Sequence, residues 1–249
     1  MSDWPDGYGL HVLQEVDSTL NEAARIAPMA QGPVWILAHR QTQARGRRGR
    51  VWTNPEGSLA ATLLMRPAGR PEQAALRSFV AALALFDACV AVTGRISGLS
   101  LKWPNDVLLN GGKLAGILLE STGQGRDVSH LAIGIGVNLA QAPAADKVEP
   151  GALRPVSLLS ETGADVTTED FLTELASAYA RFEAQFVTYG FEPIRAAWLS
   201  RAAKLGEVIT ARTVTTETVG TFETVDARGN LVLNTAKGRV SIPAADVFF

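Results

Sequence analysis

The alternation of apolar and polar residues predicts the order of strands and helices in the first part of the chain. A strand is predicted at 11–16, followed by a helix in DSTLNEAARIA, where Thr19 and Glu22 have the spacing of a capping box. Further strands are predicted at 33–40 and in SLAATLLM. The segment QTQARGRRGRVW lies between these two strands, so the pattern places a positively charged loop beside the core.

A long apolar helix and a second group of strands follow. The segment from Pro71 to Gly94 begins with proline, ends with glycine and is rich in alanine and leucine, which predicts a buried helix. LSLKWPNDVLLNGGKLAGILLES predicts a strand, a proline-marked turn and two short strands joined by the hairpin sequence NGGK, where Lys113 lies. The strand predicted at 130–139 has alternating glycines, which allow a ligand or another backbone to approach closely.

The last hundred residues change from helical patterns to short strands. A connection rich in proline and alanine is expected at 141–155, and helices are expected at 168–189 and 192–203. From there on, the chain consists of short β-branched runs separated by turn signals such as DARGN. Residues 204–249 are therefore expected to form a small β barrel, separate from residues 1–203.

Composition and cysteine usage exclude several classes of protein. The chain has 249 residues, 47% of them hydrophobic and 19% charged, with a formal net charge of -2, which is typical of a globular protein with its own core. Three histidines and one cysteine are too few for a clustered zinc site. Cys89 lies in the apolar run FVAALALFDACVAV, which favours a buried helix residue over a nucleophile.

The N-terminal sequence and the single thiol favour a cytoplasmic protein. MSDWPDGYGL has neither a basic leader nor an apolar signal core. No uninterrupted apolar stretch approaches the roughly 20 residues that a membrane helix needs. One cysteine is also typical of a reducing compartment. We therefore expect neither secretion nor membrane insertion.

The arginine-rich segment at 41–52 indicates a site for a negatively charged ligand. Arginine offers a permanent planar charge that suits phosphate or carboxylate, and glycine lets the backbone approach the ligand. A solvated surface loop or a nucleic-acid contact are the alternatives for such a tract. The chain lacks both the G-x-x-x-x-G-K-[ST] pattern and a G-x-G-x-x-G sequence that opens a helix after a strand.

A second polar segment, KWPNDVLLNGGKLAGILLE, combines Lys102, Asn105, Asp106 and Lys113 around its turns. An ordinary hairpin with surface lysines is the alternative interpretation. Together with QTQARGRRGRVW and IGIGVNL, in this order and spacing, the segment resembles the biotin protein ligases. The resemblance covers essentially the full chain, because DSTLNEA is similar to the family's first biotin-contacting turn and the tail is similar to its C-terminal barrel.

The resemblance implies an α+β fold of the class II synthetase-like biotin and lipoate ligase type. It has a mixed, largely antiparallel sheet with flanking helices in a catalytic domain, residues 1–203, and a small C-terminal β barrel, residues 204–249. Only ten residues precede the first predicted strand, too few for the N-terminal helix-turn-helix of some members. We therefore expect a monofunctional ligase that does not bind DNA.

The resemblance also implies the roles of individual residues. The residues implied to bind biotin are Ser18, Thr19, Gln41, Arg45, Gly46, Arg47, Lys113 and Gly116. Those implied on the nucleotide side are Arg48, Trp52, Asn105, Asp106 and Asn138, and Gly134 is implied to line the pocket. Lys113 is implied to be the central catalytic residue, with Arg45 and Arg47 in a loop that closes over the adenylate. Asp106 is implied to lie near Mg²⁺.

The implied activity is ATP-dependent. Biotin would be activated to biotinyl-5'-AMP and transferred to a lysine of a biotin carboxyl carrier protein domain, with ATP, biotin and Mg²⁺ required and a homodimer as one possible assembly. A lipoate or octanoate ligase of the same superfamily is one alternative. A nucleic-acid-binding regulator that uses RGRRGR is an alternative from a different class.

Two positions depart from the family pattern. Ala44 stands where the family usually has glycine, and Leu20 where it often has asparagine after Ser-Thr. Alanine is expected to stiffen the entry to the loop, and leucine to remove one polar contact to biotin. The neighbouring Asn21 is not expected to replace that contact, because its side chain points elsewhere on a helix.

Overall fold

The computed structural model describes residues 2–124, 127–144 and 152–249. Seven of the described strands form one sheet in the order β1-β2-β3-β7-β6-β5-β4. These strands are β1 (Gly9–Val16), β2 (Val34–Gln41), β3 (Leu59–Met65), β4 (Leu99–Lys102), β5 (Asp106–Leu109), β6 (Gly112–Gln124) and β7 (Asp127–Val137). β1 and β2 are parallel, and the other neighbours pair antiparallel. The mixed, largely antiparallel sheet is thus confirmed.

Helices cover both faces of the sheet. They are α1 (Thr19–Ile26), α2 (Pro71–Ala75), α3 (Arg77–Thr93), α4 (Leu158–Thr162), α5 (Thr168–Tyr189) and α6 (Phe191–Leu199). α1 packs with Ile36, Leu64 and Ala132 on one face, and α3 and α5 cover the opposite face. Every residue of β3 is buried, because this central strand is covered on both sides.

The long apolar helix predicted from Pro71 is divided at Leu76 into α2 and α3, and α3 ends at Gly94 in the left-handed conformation. Taken together, Pro71–Thr93 are long and apolar enough to cross a membrane. However, 67% of that stretch is buried inside the protein, so it is a core helix. Cys89 is fully buried, which confirms the prediction of a buried helix residue, and burial raises the pKa of its thiol to about 12.

The C-terminal residues form a second, five-stranded sheet, here called the C-terminal sheet. Its strands are β8 (Val208–Arg212), β9 (Glu217–Val225), β10 (Leu231–Thr235), β11 (Gly238–Ile242) and β12 (Asp246–Phe248), in the order β11-β10-β9-β8-β12. The predicted barrel is wrong, since the described edge strands β11 and β12 do not pair with each other. Pro243, which lacks an N–H donor, lies between them, and β12 crosses to the opposite edge beside β8.

Smaller differences concern the ends of elements. Ser18, not Thr19, is the N-cap of α1, because its hydroxyl accepts a hydrogen bond from the N–H of Leu20. The connection expected at 141–155 includes residues outside the described part of the chain. α4, which follows it, was not predicted, and α6 ends at Leu199, earlier than expected.

Candidate active site

A cavity of about 630 Å³ opens on the large sheet. Its walls come from the start of α1, the end of β2, the segment 41–52, the turn before β5, the strands β6 and β7, and β12 of the C-terminal sheet. The segment 41–52 is called the arginine loop below. The loop connects β2 to β3, which are neighbours in the sheet, and its residues form part of the cavity wall.

One end of the cavity is a chain of neutral hydrogen bonds at the start of α1. The side-chain oxygen of Gln41 accepts from the backbone N–H of Thr19 at 2.8 Å and from its hydroxyl at 3.1 Å. The Thr62 hydroxyl donates to that of Thr19 at 2.8 Å. With Ser18 as the helix cap, the hydroxyl groups of Ser18, Thr19 and Thr62 all take part in hydrogen bonds within the protein. We call it the neutral end.

Arg45 is fixed from two sides of the cavity. Its guanidinium donates to both carboxylate oxygens of Glu120 on β6, at 3.0 and 2.8 Å, a bidentate geometry that fixes orientation as well as distance. A third N–H donates to the side-chain oxygen of Asn21 at 2.7 Å, and Asn21 in turn donates to Asp17. Asn21 therefore holds the arginine loop against α1.

The rest of the arginine loop turns towards the C-terminal sheet. Arg47–Gly49 form a short 3-10 turn, in which Arg48 has a positive φ of 57°. Asp246 of β12 lies 3.0 Å from Arg48, 2.8 Å from Arg50 and 3.6 Å from Arg47. Burial alone would raise the pKa of Asp246, but hydrogen bonding and charge from these arginines hold it below its usual value.

Lys113 lies at the start of β6 and also lines the cavity. Its ammonium is 2.7 Å from the carboxylate of Asp106 and 5.5 Å from the centre of the Trp52 ring. Lys102, on β4, lies on the same wall of the cavity, and its partial burial lowers its pKa. Arg47 is partly buried as well, and this burial lowers the pKa of its guanidinium. These charged groups form what we call the charged end of the cavity.

Glycines form the floor between the two ends. A Cβ atom at Gly136 would lie 2.7 Å from the Trp52 ring, and one at Gly116 would lie 3.2 Å from it. A Cβ atom at Gly134 would lie 3.0 Å from the side chain of Leu20. Only glycine lets the indole ring lie against this part of the sheet. Leu20, where the family often has asparagine, packs on the floor instead of offering a polar group.

The structure brings the predicted site residues to this one cavity. Those that line it are Ser18, Thr19, Gln41, Arg45, Gly46, Arg47, Arg48, Trp52, Asn105, Asp106, Lys113, Gly116, Gly134 and Asn138. Asn138 is buried, and its amide donates to the carbonyl of Val156 at 3.0 Å. Ala44 lines the cavity at the entry to the loop. Their contacts with ligands stay predictions.

Several residues at the site were not predicted. Glu120 lies in the same GILLE segment as the predicted residues, and Gly136 continues the alternation of glycines in IGIGVNL, so both had a local signal. Lys102 was noted without a role. Asp246 had no local signal, because it is almost two hundred residues from its arginine partners.

Metal binding at the site would depend on the nucleotide. In the ranges that the structure describes, no group of three or more His, Cys, Asp or Glu side chains could hold a metal ion. Asp106 is a single carboxylate whose nearest cation is Lys113. Mg²⁺ in nucleotide sites is commonly held by one or two carboxylates together with phosphates and water, and Asp106 fits that need.

The cavity combines a cationic loop and a lysine paired with a carboxylate on one mixed sheet, and comparison with known proteins shows which class of protein has this arrangement. A family profile described as "Biotin/lipoate A/B protein ligase family" matches residues 12–138. A second, "Biotin protein ligase C terminal domain", matches residues 204–249. The chain belongs to the biotin/lipoate A/B protein ligase family.

Similar individual proteins are ligases of the same family. The chain is 57% identical over 238 residues to the biotin--[acetyl-CoA-carboxylase] ligase of Paracoccus denitrificans, covering 96% of this chain and 99% of the relative. It is 30% identical to the bifunctional ligase/repressor BirA of Bacillus subtilis, over 95% of this chain and 71% of that protein. These names support the biotin branch over the lipoate or octanoate alternative.

A solved structure has the same fold. The biotin protein ligase from Aquifex aeolicus in complex with biotin and ATP superimposes with a TM-score of 0.81 at 26% identity. The match covers 96% of this chain and 98% of that one. The expected ligase fold is thus confirmed for the chain as a whole, with an open C-terminal sheet in place of a barrel.

Proposed function

We propose that this chain is a biotin protein ligase that uses ATP to form biotinyl-5'-AMP and then transfers the biotinyl group to a lysine of a biotin carboxyl carrier protein domain. The observation that carries the proposal is the division of one cavity into an uncharged end lined by hydrogen-bonded hydroxyl and amide groups and a charged end. A neutral acyl chain with a polar head fits the first, and a triphosphate fits the second. The relatives named above support the same pair of ligands.

In the first step, a carboxylate oxygen of biotin attacks the α-phosphorus of ATP, and pyrophosphate leaves. Two anions must meet while negative charge grows on the leaving group, which requires fixed cations. Lys113 and Arg47 are proposed to supply them, with Arg45 oriented by Glu120. Ser18, Thr19 and Gln41 are proposed to hold biotin, and Gly46, Gly116 and Gly134 to leave space for it.

The nucleotide is proposed to lie at the charged end. Arg48, Trp52, Asn105 and Asn138 are proposed as its remaining contacts, Trp52 through its ring on the glycine floor. Mg²⁺, held by Asp106 and the phosphates, would neutralise charge on the triphosphate.

In the second step, the neutral amine of the carrier lysine attacks the acyl carbon of the adenylate, and AMP leaves. The adenylate must be kept from water until the carrier arrives. The arginine loop is proposed to exclude water by closing over it, and Asp106 is proposed to take the proton from the attacking amine.

The remaining proposals concern organisation and location. Residues 1–203 are proposed as the catalytic domain and residues 204–249 as the C-terminal domain, a division supported by the two family profiles. We place the protein in the cytoplasm, where the buried thiol of Cys89 stays reduced.

Biotin-dependent exchange between ATP and pyrophosphate tests the first step, and labelling of a carrier domain tests the second. Exchange with biotin, and none with lipoate or octanoate, is expected. Exchange with lipoate alone would establish the other branch. A folded sample that shifts nucleic acid in a salt-sensitive way and gives no exchange would establish the regulator instead. Sedimentation of the same sample measures whether it forms a homodimer.

A further inference from the structure

A carboxylate of the C-terminal sheet bonds to two side chains of the arginine loop. Asp246, at the start of β12, accepts hydrogen bonds from Arg48 at 3.0 Å and from Arg50 at 2.8 Å, both through the same oxygen. The side chain of Asp246 is 17% exposed, while those of Arg48 and Arg50 are 38% and 42% exposed. The carboxylate is therefore the most shielded member of this cluster.

Arg47 is held much more loosely than its two neighbours. Its guanidinium lies 3.6 Å from Asp246, and its other contacts are long: 3.4 Å to the oxygen of Asn105 and 3.3 Å to the carbonyl of Ala245. Hydrogen bonds at these lengths are weak. The side chain of Arg47 is also less exposed, at 24%, and it lines the cavity.

We propose that Asp246 is a positioning residue that clasps Arg48 and Arg50, closes the arginine loop against the C-terminal sheet, and leaves Arg47 available to the phosphates of the nucleotide. The inference rests on the proposed function for its nucleotide. The contact between Asp246 and the loop is made by protein side chains alone. The clasp can therefore be tested apart from the reaction.

The charges explain why the loop needs such a partner. Arg47, Arg48 and Arg50 lie within four residues of each other, and their like charges repel at this separation. A single carboxylate among them offsets this repulsion and fixes a loop in which Arg48 has a positive φ. Without that charge, the loop should open more often, and the cavity should retain its nucleotide less well.

Limited digestion with trypsin tests the clasp in the absence of ligand, because the loop itself carries the cleavage sites. We expect Asp246→Asn to raise the rate of cleavage within residues 45–50 by about tenfold, in line with the loss of one charged network. Asp246→Glu should restore most of the protection. Glu223→Gln removes a carboxylate from the same sheet, where it pairs with the exposed Arg239, and should leave the rate unchanged.

Steady-state kinetics separate positioning from general support of the fold. Asp246→Asn should raise the KM for ATP and the release rate of the adenylate by about tenfold, with the KM for biotin changed less than twofold. In an Arg48→Gln/Arg50→Gln background, the same substitution should have little further effect, because the two arginines that donate hydrogen bonds to Asp246 are gone. A thermal melt of each variant checks that it is folded.

The outcomes are distinct. Equal cleavage and equal KM for ATP in Asp246→Asn and the parent would overturn the clasp. An effect that is fully additive with the two arginine substitutions would overturn it too, because Asp246 would then act elsewhere. If the folded parent shows no exchange with biotin, the proposed function fails, and the digestion experiment still decides whether the clasp exists.

Discussion

The two ends of the cavity are stabilised in different ways. At the neutral end, Ser18, Thr19 and Thr62 are 1%, 3% and 0% exposed, and their hydroxyl groups bond to one another, to Gln41 or to the backbone. At the charged end, Lys113 is 32% exposed and its strongest partner is a carboxylate. One end is buried and uncharged, whereas the other is ionic and partly open to solvent.

This difference assigns a separate task to each end. A buried hydroxyl needs a fixed partner, so the neutral end is rigid and selects a ligand by shape. Ion pairs near solvent contribute little net free energy and are easily exchanged. Lys113 can therefore leave Asp106, and the loosely held Arg47 can leave Asp246, for the more highly charged phosphates. The neutral end should determine which acid is bound, and the charged end should determine how fast it reacts.

Replacement of Lys113 by alanine should give the largest effect. If Lys113 stabilises charge on the leaving group, Lys113→Ala should lower the rate of biotin-dependent exchange by about 10²–10³-fold. The affinity for biotin should change little, because the neutral end keeps its bonds. The measurement is pyrophosphate exchange, with biotin binding by calorimetry. The exposed Lys237 in the C-terminal sheet provides a control through Lys237→Ala. Near-parental exchange would remove Lys113 from the mechanism.

Two glycines on β7 allow each end to be disturbed separately. Gly136→Ala would place a methyl group 2.7 Å from the rigid Trp52 ring, and we expect the KM for ATP to rise by about tenfold or more. Gly134→Ala would meet Leu20 at 3.0 Å, and this flexible side chain can move. We expect a smaller rise, in the KM for biotin only. If both variants changed the same constant, the division into two ends would be wrong.

The sequence could predict the elements because their signals are local. The period of apolar residues located the strands of the large sheet, and the arginine loop was found because it is short and flanked by those strands. The open C-terminal sheet could not be predicted in this way. Whether β12 pairs with β11 or crosses to β8 depends on contacts between distant residues, which no local pattern contains.

The same limit applies to the site. Lys113 and Arg47 lie in recognisable segments, and a resemblance carried over their roles. Asp246 lies in a strand without a recognisable motif. Its contact with the arginine loop is formed only in the folded chain. Asn21 was expected only not to replace the polar contact missing at Leu20, and its contact with Arg45 was not predicted. Partners of functional residues are thus harder to predict than the residues themselves.

The neutral end can be weakened without a change of charge. Thr62→Val keeps the shape of the side chain and removes the donor to Thr19, a buried bond worth about 1 kcal/mol. The KM for biotin should rise about fivefold, in line with that free energy, and the KM for ATP should stay constant. Thr235→Val, which removes a hydroxyl at the end of β10 that donates to the carbonyl of Gly238, is the control. A rise in both constants would mean that the two ends are coupled.

The smallest expected effect is the pH dependence of the charged end. Burial is the main cause that lowers the pKa of Lys102, and the charges around it act in both directions: Asp106 and Asp246 raise it, Lys113 and Arg47 lower it. Lys102 therefore loses its proton below the ordinary value of 10.5. The folded protein then binds fewer protons than the unfolded chain, so this contribution to stability is present above 10.5 and is lost as the pH falls through the folded pKa.

Affinity for ATP should change in the opposite direction over the same alkaline range. As Lys102 loses its charge, the KM for ATP should rise a few-fold while the affinity for biotin stays constant, because the neutral end has no titrating group in its hydrogen-bond chain. A pH series on the parent and on Lys102→Met measures both constants, and urea unfolding measures stability. The alkaline rise in KM should be absent from Lys102→Met. Equal pH profiles in the two proteins would show that another group titrates there.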